Sequence, residues 1–423
     1  MTDPLFLLQS DIWTRERFDS VMDAVSSGLG PVTCIGICTL DPVLLNACLI
    51  LGATRNYCVQ VFHAPNESGH VRSLAQFNGA QCLVTGNSET PVFTPVDSAV
   101  ASSPSQAPWV GIYTSGTSGT PKLSLHSWST VQKPARFAEQ GLHGARWLMC
   151  YAPTTYAGLQ VFFTCYGSGG LLVYPVGTMG EIWQSILQMK VDVISATPTF
   201  WRMLASTWQP GNNLRLRQAT LGGEIVRQDL LDLVASRFHP MKLTHIYAST
   251  ETGPALVVSD GQEGFPSAWL ERTQGPVQVR IGSEGLLELR SAYRMMAYAD
   301  GRPTFDDGWF RTPDLVERRG DRVHFLGRKD SIINMGGLKV PIDSVESAIL
   351  GIPDILDCRV YQRASPIIGS LLCADLLLRS SDAPPGVPEL KRIMRETLGH
   401  LPIPQFVQIV DSIRMAQSGK KAR

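Results

Sequence analysis

The sequence lacks an excess of either charge. Its 423 residues include 37 Lys and Arg and 37 Asp and Glu, so the formal net charge is zero. A chain without a net field has no general electrostatic attraction to nucleic acid or to an anionic membrane. We therefore expect neither a nucleic-acid partner nor a charged membrane surface.

Long apolar runs are also lacking. The longest, Val43–Ala53, is too short to cross a bilayer, so no membrane span is expected. The N-terminal segment MTDPLFLLQSDIW carries two acids and no basic residue, which is not the pattern of a signal peptide. We expect a cytoplasmic location.

Paired cysteines are absent as well. The chain has 9 cysteines, none in a CxxC pair and none at zinc-finger spacing from a histidine. An odd number of cysteines with mostly apolar neighbours indicates buried thiols in a reducing compartment. These residues are Cys34, Cys38, Cys48, Cys58, Cys82, Cys150, Cys165, Cys358 and Cys373.

The length predicts at least two domains, because 423 residues exceed what one hydrophobic core usually organises. Near the N-terminus, strands Thr33–Cys38 and Asn56–Phe62 are predicted on either side of a helix over Asp41–Ala53. Asp41 is expected to cap this helix and Gly52 to end it. Such alternation of strands and helices favours a parallel sheet with helices on both faces.

The alternation continues further along the chain and then changes. Strands are predicted at Gln81–Thr85, Trp147–Tyr151, Leu171–Pro175 and Val191–Ala196, with helices at Ile182–Met189 and Pro198–Thr207. After Gly275 the pattern indicates antiparallel strands, at Val277–Ile281, Gly285–Arg290 and Arg322–Leu326. The last hundred or so residues predict a smaller unit, with helices Ile342–Leu350 and Pro388–Leu398 and strands Asp357–Arg363, Ser370–Leu378 and Gln405–Val410.

The segment Tyr113–Lys122 (YTSGTSGTPK) interleaves glycines with hydroxyl residues and ends in Pro-Lys. Glycines let backbone amides approach phosphate oxygens closely, hydroxyls add donors, and Lys122 supplies a positive charge. The spacing differs from that of a Walker A loop. On composition alone, a phosphate-binding loop and a solvated Ser/Gly linker are equal alternatives.

This segment resembles the phosphate-binding signature of the adenylate-forming superfamily, which includes acyl-CoA synthetases, stand-alone adenylation enzymes and luciferases. Further segments resemble its other motifs in the same order, which makes the combination far more specific than any one of them. They are Leu221–Glu224 (LGGE), Ile246–Gly253 (IYASTETG), Gly308–Leu315 (GWFRTPDL), Gly327–Val340 (GRKDSIINMGGLKV) and Ser418–Lys420 (SGK).

The resemblance implies an α/β fold in two domains. Residues 1–329 are expected to form a large AMP-binding domain of mainly parallel sheets covered by helices, with a distorted β-barrel-like part. Residues 330–423 are expected to form a small, mobile α+β domain that pivots at a hinge on Asp330. A short polar residue tolerates unusual backbone angles, which suits a hinge, although an ordinary loop aspartate is the alternative.

The resemblance also implies roles for individual residues. Lys420, Thr250 and Glu251 are the expected catalytic residues, and Glu251 is the expected Mg²⁺ ligand because its carboxylate is a hard oxygen donor. The expected nucleotide-binding residues are Thr114, Ser115, Gly116, Thr117, Ser118, Gly119, Lys122, Gly222, Gly223, Glu224, Tyr247, Ala248, Ser249, Asp314 and Arg328.

Each of these residues also has a structural alternative. Tyr247 is expected to stack on adenine, but a buried tyrosine can simply pack in a core. Glu251 can cap a helix, Asp314 can stabilise a turn, and Arg328 can form a surface ion pair instead of contacting ribose or phosphate. A terminal lysine such as Lys420 is more often solubilising charge when taken alone, and the adjacent Lys421 is the alternative assignment.

The substrate pocket is expected around Cys150–Leu172, which resembles the acyl-pocket helix of the family. Residues 141–180 contain no acidic residue, and burying an ammonium without a counter-charge costs several kcal/mol or more, roughly, so an α-amino acid is disfavoured. We expect an aryl or medium-length acyl acid. The predicted pocket residues are Tyr156, Ala157, Gly158, Phe162, Gly223 and Thr252, although aromatic residues at helical spacing more often pack in a core.

The expected activity is an ATP-dependent ligase that adenylates this acid and passes the acyl group to a thiol. ATP and Mg²⁺ are the expected cofactors, and CoA or the phosphopantetheine of a separate acyl or peptidyl carrier protein is the expected acceptor. A homodimer is possible. The alternatives are an amino-acid-type adenylation enzyme, a luciferase-like monooxygenase and a nucleotide-binding pseudoenzyme.

Overall fold

The structure is a computed structural model that describes residues 4–8, 11–62, 68–97, 107–114, 122–132, 141–208, 214–302, 304–335, 338–365, 369–379, 383–415 and 421. The N-terminal part of the chain, up to residue 328, holds strands β1 to β20. In chain order they are Pro4–Leu8, Asp11–Thr14, Cys34–Ile37, Cys58–Val61, Cys82–Gly86, Pro91–Pro95, Trp109–Thr114, Lys122–Ser127, Arg146–Met149, Leu171–Tyr174, Val193–Ala196, Gln218–Gly222, Lys242–Ser249, Gly253–Val258, Phe265–Pro266, Val277–Ile281, Leu286–Ser291, Ala297–Tyr298, Phe310–Arg319 and Arg322–Arg328.

Two large, mainly parallel sheets form the centre of the N-terminal part. The first has eight strands in the order β14-β13-β12-β11-β9-β10-β1-β2, parallel except for the edge strands β14 and β2. The second has seven strands in the order β18-β8-β7-β4-β3-β5-β6, with β3, β4, β5 and β7 parallel. Both sheets confirm the predicted doubly covered α/β arrangement.

Helices pack on the two large sheets through their buried apolar residues, which form two separate cores. Arg15–Leu29, Pro42–Arg55 and Tyr156–Gly167 contribute to one buried core that includes residues of both sheets. Met179–Gln188, Pro198–Ser206 and Gln228–Phe238 pack with the eight-stranded sheet in a second core. The N-terminal part also contains the helix Ser68–Phe77.

The helix Pro42–Arg55 confirms one prediction about its ends and corrects another. Asp41 caps it, because its Oδ1 accepts from the amides of Val43 (2.7 Å) and Leu44 (3.1 Å). The expectation that Gly52 ends the helix is wrong, since the helix continues to Asn56, which adopts a left-handed φ of 57°. A Cβ at Gly52 would lie 2.5 Å from Val59 Cγ2, so this glycine permits close helix–strand packing instead.

The third sheet of the N-terminal part is antiparallel throughout. Its order is β15-β20-β19-β17-β16, and its buried residues form a separate small core. The predicted strand Val277–Ile281 has the predicted bounds, while the next two are Leu286–Ser291 and Arg322–Arg328. The pairing of β19 with β20 places Asp314 directly opposite Arg328.

The C-terminal part has its own core. The hairpin β21 (Ile332–Met335) and β22 (Leu338–Pro341) leads into the helix Ile342–Leu350, as predicted. Strands β23 (Ile355–Ser365), β24 (Gly369–Leu378) and β25 (Phe406–Ile409) form a three-stranded sheet, and the helix Val387–Thr397 follows β24. Buried residues of these elements form one cluster that excludes the N-terminal part.

All nine cysteines are free thiols, and seven of them are buried, as predicted. Within the described ranges, no helix combines the length and apolar character that crossing a bilayer requires.

Candidate active site

Tyr298 brings two of the predicted motifs together. Its hydroxyl donates to Glu251 Oε1 over 2.7 Å, and Lys122 Nζ lies 5.7 Å from the centre of its ring. Strand β18, which carries Tyr298, pairs with β8 opposite Ser124. The basic end of the predicted phosphate loop therefore lies beside the predicted magnesium ligand, an arrangement that supports binding of a metal-bound polyphosphate.

The loop itself is described only at its flanks. Thr114 ends β7, and its Oγ1 donates to the carbonyl of Lys122, which begins β8, at 3.4 Å. β7 and β8 are antiparallel neighbours, and their pairing places Thr114 directly opposite Lys122. Ser115, Gly116, Thr117, Ser118 and Gly119 lie outside the described residues, as does Lys420.

Tyr247 and Asp314 form a second pair of predicted residues. Tyr247 Oη donates to Asp314 Oδ2 over 2.5 Å, and the Tyr247 ring stacks on Phe325 with centroids 4.9 Å apart. Burial, together with the charge of Asp314, raises the pKa of Tyr247 well above its ordinary value, so its hydroxyl keeps its proton. The stack on Phe325 and the bond to Asp314 fix this ring in orientation.

Arg328 and Asp330 form an ion pair at the junction of the two parts of the chain. Arg328 Nε and Nη2 donate to the two carboxylate oxygens of Asp330 at 2.8 and 2.7 Å. Asp330 thereby raises the pKa of Arg328 further. The backbone amide of Arg328 donates to Asp343 Oδ2 at 2.9 Å, which connects this junction to the helix Ile342–Leu350.

The LGGE turn follows the carboxyl end of β12, at an edge where parallel strands commonly bind ligands. Gly223 has a φ of 88°, a left-handed conformation that favours glycine. Glu224 Oε2 accepts from the amide and hydroxyl of Thr199 at 3.1 and 2.8 Å. Burial raises the pKa of Glu224, while the charge of Lys421 and the bonds from Thr199 act against that rise.

Residues 250–252 connect β13 to β14 at the same edge. Thr252 is fully buried, and its amide donates to Ser249 Oγ at 3.1 Å. Thr250 and Glu251 lie between these two residues, so this bond holds the turn that presents them. Gly253 follows with a φ of 69°.

The predicted acyl pocket contains a neutral, buried aromatic pair. The rings of Tyr156 and His126 are 5.0 Å apart, and Tyr156 Oη and both His126 ring nitrogens have no hydrogen-bond partner within the described part of the chain. Burial lowers the pKa of His126 to about 3, although the nearby backbone of Thr250 acts in the opposite direction. The His126 ring is therefore uncharged near neutral pH.

The other predicted pocket residues have mainly packing roles. Phe162 is 1% exposed and packs against Phe6 and Phe163 in the core, which favours its structural alternative. A Cβ at Gly158 would lie 2.2 Å from the carbonyl oxygen of Ala152, so only glycine fits there. Ala157 is partly buried against the same core.

Lys421 is buried rather than free. Its Nζ donates to Glu346 Oε1, Asp357 Oδ1 and the Cys358 carbonyl at 2.8, 2.7 and 2.6 Å. These three bonds use the whole donor capacity of the ammonium group. The geometry therefore disfavours Lys421 as the catalytic lysine, the alternative that the sequence left open.

Several of these contacts were not predicted from the sequence. Four of the residues involved lie outside the motif segments recognised in the sequence: Tyr298, His126, Glu346 and Asp357. They lie far along the chain from the residues they contact, with 47 positions between Tyr298 and Glu251 and 75 between Lys421 and Glu346. A local pattern carries no signal for such pairs.

The donor set suits Mg²⁺ bound together with a polyphosphate. Mg²⁺ is usually held by one or two carboxylates plus substrate phosphates, and Glu251 offers one carboxylate beside Lys122. Over the ranges that the structure describes, no three His, Cys, Asp or Glu side chains gather as a preformed metal site.

Comparison with known proteins is consistent with this site. The sequence model of the AMP-binding enzyme family matches residues 59–281, and that of the AMP-binding enzyme C-terminal domain matches residues 344–420. Medium/long-chain-fatty-acid–[acyl-carrier-protein] ligase FadD10 of Mycobacterium tuberculosis is 27% identical over 359 residues, which cover 75% of this chain and 66% of FadD10. The chain thus spans just under two thirds of that relative's length.

Two further proteins extend the comparison. The 2-succinylbenzoate–CoA ligase of Bacillus licheniformis is 25% identical over 337 residues, covering 74% of this chain and 68% of the ligase. The structure of O-succinylbenzoate coenzyme A synthetase (MenE) from Bacillus subtilis, in complex with ATP and magnesium ion, superposes with a TM-score of 0.72 at 17% identity, covering 99% of this chain and 95% of MenE. The fold is therefore shared along nearly the whole chain, and with a family match over more than half of its length the chain belongs to the AMP-binding enzyme family.

Proposed function

We propose that this chain is an ATP-dependent, AMP-forming ligase that joins a carboxylic acid to a thiol. The observation that carries the proposal is the contact of Tyr298 with both Glu251 and Lys122. Through Tyr298, the carboxylate of Glu251 and the ammonium of Lys122 both lie near one side chain, and we propose that they bind Mg²⁺ and phosphate. A polyphosphate with its Mg²⁺ fits between such groups.

The first half-reaction forms an acyl-adenylate. A carboxylate oxygen of the acid attacks the α-phosphorus of ATP in line, the bond to the β-phosphate breaks, and pyrophosphate leaves. Lys122 and the hydroxyl of Thr250 contact the phosphates, and Lys420 balances the negative charge between carboxylate and α-phosphate. Mg²⁺, held by Glu251, supplies charge neutralisation when bound.

Tyr247 and Asp314 are proposed to hold the nucleoside. One face of Tyr247 packs on Phe325, and adenine is proposed to stack on the opposite face. Asp314 already accepts from Tyr247 Oη, and a carboxylate has further acceptor positions for the two ribose hydroxyls. Because Tyr247 and Asp314 are proposed to bind the adenine and the ribose, this pair supports ATP as the substrate rather than a polyphosphate without a nucleoside.

The second half-reaction transfers the acyl group. The sulfur of the acceptor thiol attacks the acyl carbonyl, the bond between the acyl carbon and the phosphate oxygen breaks, and AMP leaves. We propose that residues 330–423 pivot at Asp330 between the two steps. The ion pair of Arg328 with Asp330 spans this boundary with residues 1–329 and would break or rearrange during the pivot.

The acid is proposed to be an aryl or medium-length acyl acid. Tyr156 and His126 offer buried polar groups without charge, so they can accept a neutral acyl group but cannot balance an ammonium. The names of the relatives agree with this class, since one acts on medium- and long-chain fatty acids and another on 2-succinylbenzoate.

The acceptor is proposed to be CoA or the phosphopantetheine thiol of a separate carrier protein. FadD10 is named for an acyl-carrier-protein acceptor and the Bacillus licheniformis relative for CoA. Both acceptors present the same thiol, so the site chemistry is equal for either. A cytoplasmic location and a homodimer remain predictions of the sequence.

Acid-dependent exchange of labelled pyrophosphate into ATP tests the proposal. A panel of aryl acids, medium-length fatty acids and α-amino acids should give exchange with members of the first two groups. No exchange with any acid would contradict the ligase function, and strong exchange with an α-amino acid would contradict the neutral pocket. Mass spectrometry after addition of CoA or a phosphopantetheinylated carrier protein then identifies the acceptor.

A further inference from the structure

The pocket that holds Lys421 is built by charged side chains of the C-terminal part. The Lys421 side chain is 5% exposed, Glu346 is 10% exposed and Asp357 is fully buried. Burial alone would lower the pKa of Lys421, but the charges of Glu346 and Asp357 outweigh it and raise the pKa above its ordinary value. Lys421 therefore stays protonated and bound.

Both carboxylates are held in place independently of Lys421. Glu346 Oε2 accepts from the amide of Val360 at 3.1 Å, and Asp357 Oδ1 accepts from the amide of Cys358 at 2.9 Å. They belong to the helix Ile342–Leu350 and to β23, which pack in the C-terminal core. The site is therefore rigid before the terminal segment binds to it.

This site lies where the C-terminal part meets the LGGE turn. The charge of Lys421 acts on the buried Glu224 of that turn. Beside Glu346, the carbonyl and hydroxyl of Ser347 accept from Arg227 Nη1 of the N-terminal part at 2.6 and 2.5 Å. The ammonium of Lys421 thus lies near the boundary between the N-terminal and C-terminal parts. In the proposed function, this boundary rearranges between the two half-reactions.

We propose that Lys421 is a positioning residue for Lys420. This inference rests on the proposed function, in which Lys420 acts in the first half-reaction. Consecutive Cα atoms are about 3.8 Å apart, so anchoring residue 421 in a rigid pocket restricts where the backbone of its neighbour can lie. The backbone of Lys421 also forms an antiparallel bridge with Met415.

The anchor acts on one half-reaction only. A misplacement of about 1 Å at a reacting centre can cost roughly 10²-fold in rate, so a loose terminal segment lowers adenylation strongly. Lys421, Glu346 and Asp357 all belong to the C-terminal part and move together when it pivots. The anchor therefore persists after the pivot, when Lys420 has no further role in thiol attack.

The test compares Lys421→Met with Lys391→Met. Lys391 is a partly buried lysine of the same part, whose Nζ donates to the Gln405 carbonyl at 2.8 Å. In Lys421→Met, kcat for pyrophosphate exchange should fall about 10- to 100-fold, with the KM for ATP and for acid within about twofold of wild type. Thioester formation from supplied acyl-adenylate should stay within about twofold, and Lys391→Met should match wild type in both assays.

A purely structural role for Lys421 would lower both half-reactions together. Equal losses in the two assays, or no loss in either, would overturn the proposal. If Lys421→Met does not fold, the double variant Lys421→Met, Asp357→Asn replaces it, because the second substitution removes one of the carboxylate charges left without a partner. The double variant is then compared with wild type in the same two assays. Wild-type protein without exchange on any acid would instead overturn the proposed function.

Hydrogen exchange tests the anchor without any catalysis. In Lys421→Met, the amide of Val360 and the peptide spanning Met415 and Lys421 should exchange at least about tenfold faster than in wild type. Lys420→Ala should abolish pyrophosphate exchange and leave these amides unchanged. Unchanged hydrogen exchange in Lys421→Met would show that Lys421 anchors nothing.

Discussion

Tyr298 Oη donates a hydrogen bond of 2.7 Å to Glu251 Oε1, although Tyr298 lies in β18 of the seven-stranded sheet and Glu251 lies in the turn between β13 and β14 of the eight-stranded sheet. The bond leaves the second carboxylate oxygen of Glu251 available for a metal. Lys122 Nζ lies 5.7 Å from the centre of the same tyrosine ring. Tyr298 is therefore expected to orient Glu251 for MgATP.

Tyr298→Phe should lower kcat/KM for MgATP about tenfold or more, because a hydrogen bond to a charged group contributes roughly 1.5–3 kcal/mol. The requirement for free Mg²⁺ should rise in parallel. Pyrophosphate exchange measured across a Mg²⁺ series checks both effects. Tyr361→Phe is the matched control, since Tyr361 makes a similar bond to Asp375 Oδ1 at 3.2 Å in the C-terminal part. Equal behaviour of the two variants would contradict the assigned role.

Asp314→Ala should weaken ATP use and abolish discrimination at the ribose. Loss of the acceptor for the ribose hydroxyls should raise the KM for ATP at least about tenfold. Wild type should favour ATP over 2′-deoxy-ATP, and the variant should use both equally. Asp321→Ala, at an exposed position of the same hairpin, provides the control. Retained discrimination in Asp314→Ala would exclude Asp314 from ribose binding.

His126 should make the fold sensitive to acid. Its pKa is lowered to about 3 in the folded chain by burial, against about 6.5 in the unfolded chain. Above about pH 6.5 the ring is neutral in both states and the contribution of His126 to stability is fully present. As the pH falls from about 6.5 towards about 3, the unfolded chain gains a proton that the folded chain does not, so stability is lost.

His126→Gln should therefore reduce the dependence of unfolding on pH between about 6.5 and 4.5. The difference from wild type should approach about 1.4 kcal/mol per pH unit, measured from thermal unfolding at several pH values. His400→Gln, which changes an exposed histidine, should leave the wild-type dependence intact. Parallel curves for wild type and His126→Gln would mean that the ring is not held neutral.

Lys421→Met should also destabilise the C-terminal part. Removing one partner from a buried ion pair leaves Glu346 and Asp357 without their counter-charge, which typically costs about 3–5 kcal/mol. Thermal unfolding should show a clear decrease in the midpoint, and Lys391→Met should stay close to wild type. Adding Glu346→Gln to Lys421→Met should recover part of the loss, because the two substitutions remove interacting charges. A midpoint equal to wild type would contradict the buried ion pair.

Much of the architecture followed from local pattern. The alternation of strands and helices predicted the parallel sheets, and the helix Ile342–Leu350 and the strand Val277–Ile281 have the predicted bounds. Gly52 was misjudged because a glycine can end a helix or admit a close neighbour, and only the contact with Val59 and Trp128 distinguishes the two. Helix ends that depend on tertiary packing are not visible in local sequence.

The candidate site also contains residues that the sequence predicted and residues that only the structure revealed. Motif residues such as Thr250, Glu251 and Asp314 were predicted because each lies in a short motif and the motifs follow one another in a recognisable order. The partners of the motif residues were not predicted, since Tyr298 contacts Glu251 and Phe325 contacts Tyr247 from distant strands. Phe162 could be assigned to a pocket or to the core from its spacing, and its packing on Phe6 favours the core.

The sequence by itself determined the family resemblance, the α/β class and the order of the nucleotide motifs, because these depend on composition and on neighbours along the chain. Only the tertiary structure decided which groups orient the motif residues, since hydrogen bonds and buried ion pairs depend on distances between remote segments. Tyr298 beside Glu251 and Lys421 between Glu346 and Asp357 are the two cases that matter most. A lysine near the end of a sequence looks like solvated charge, and only folding buries it and surrounds it with the carboxylates that balance its charge.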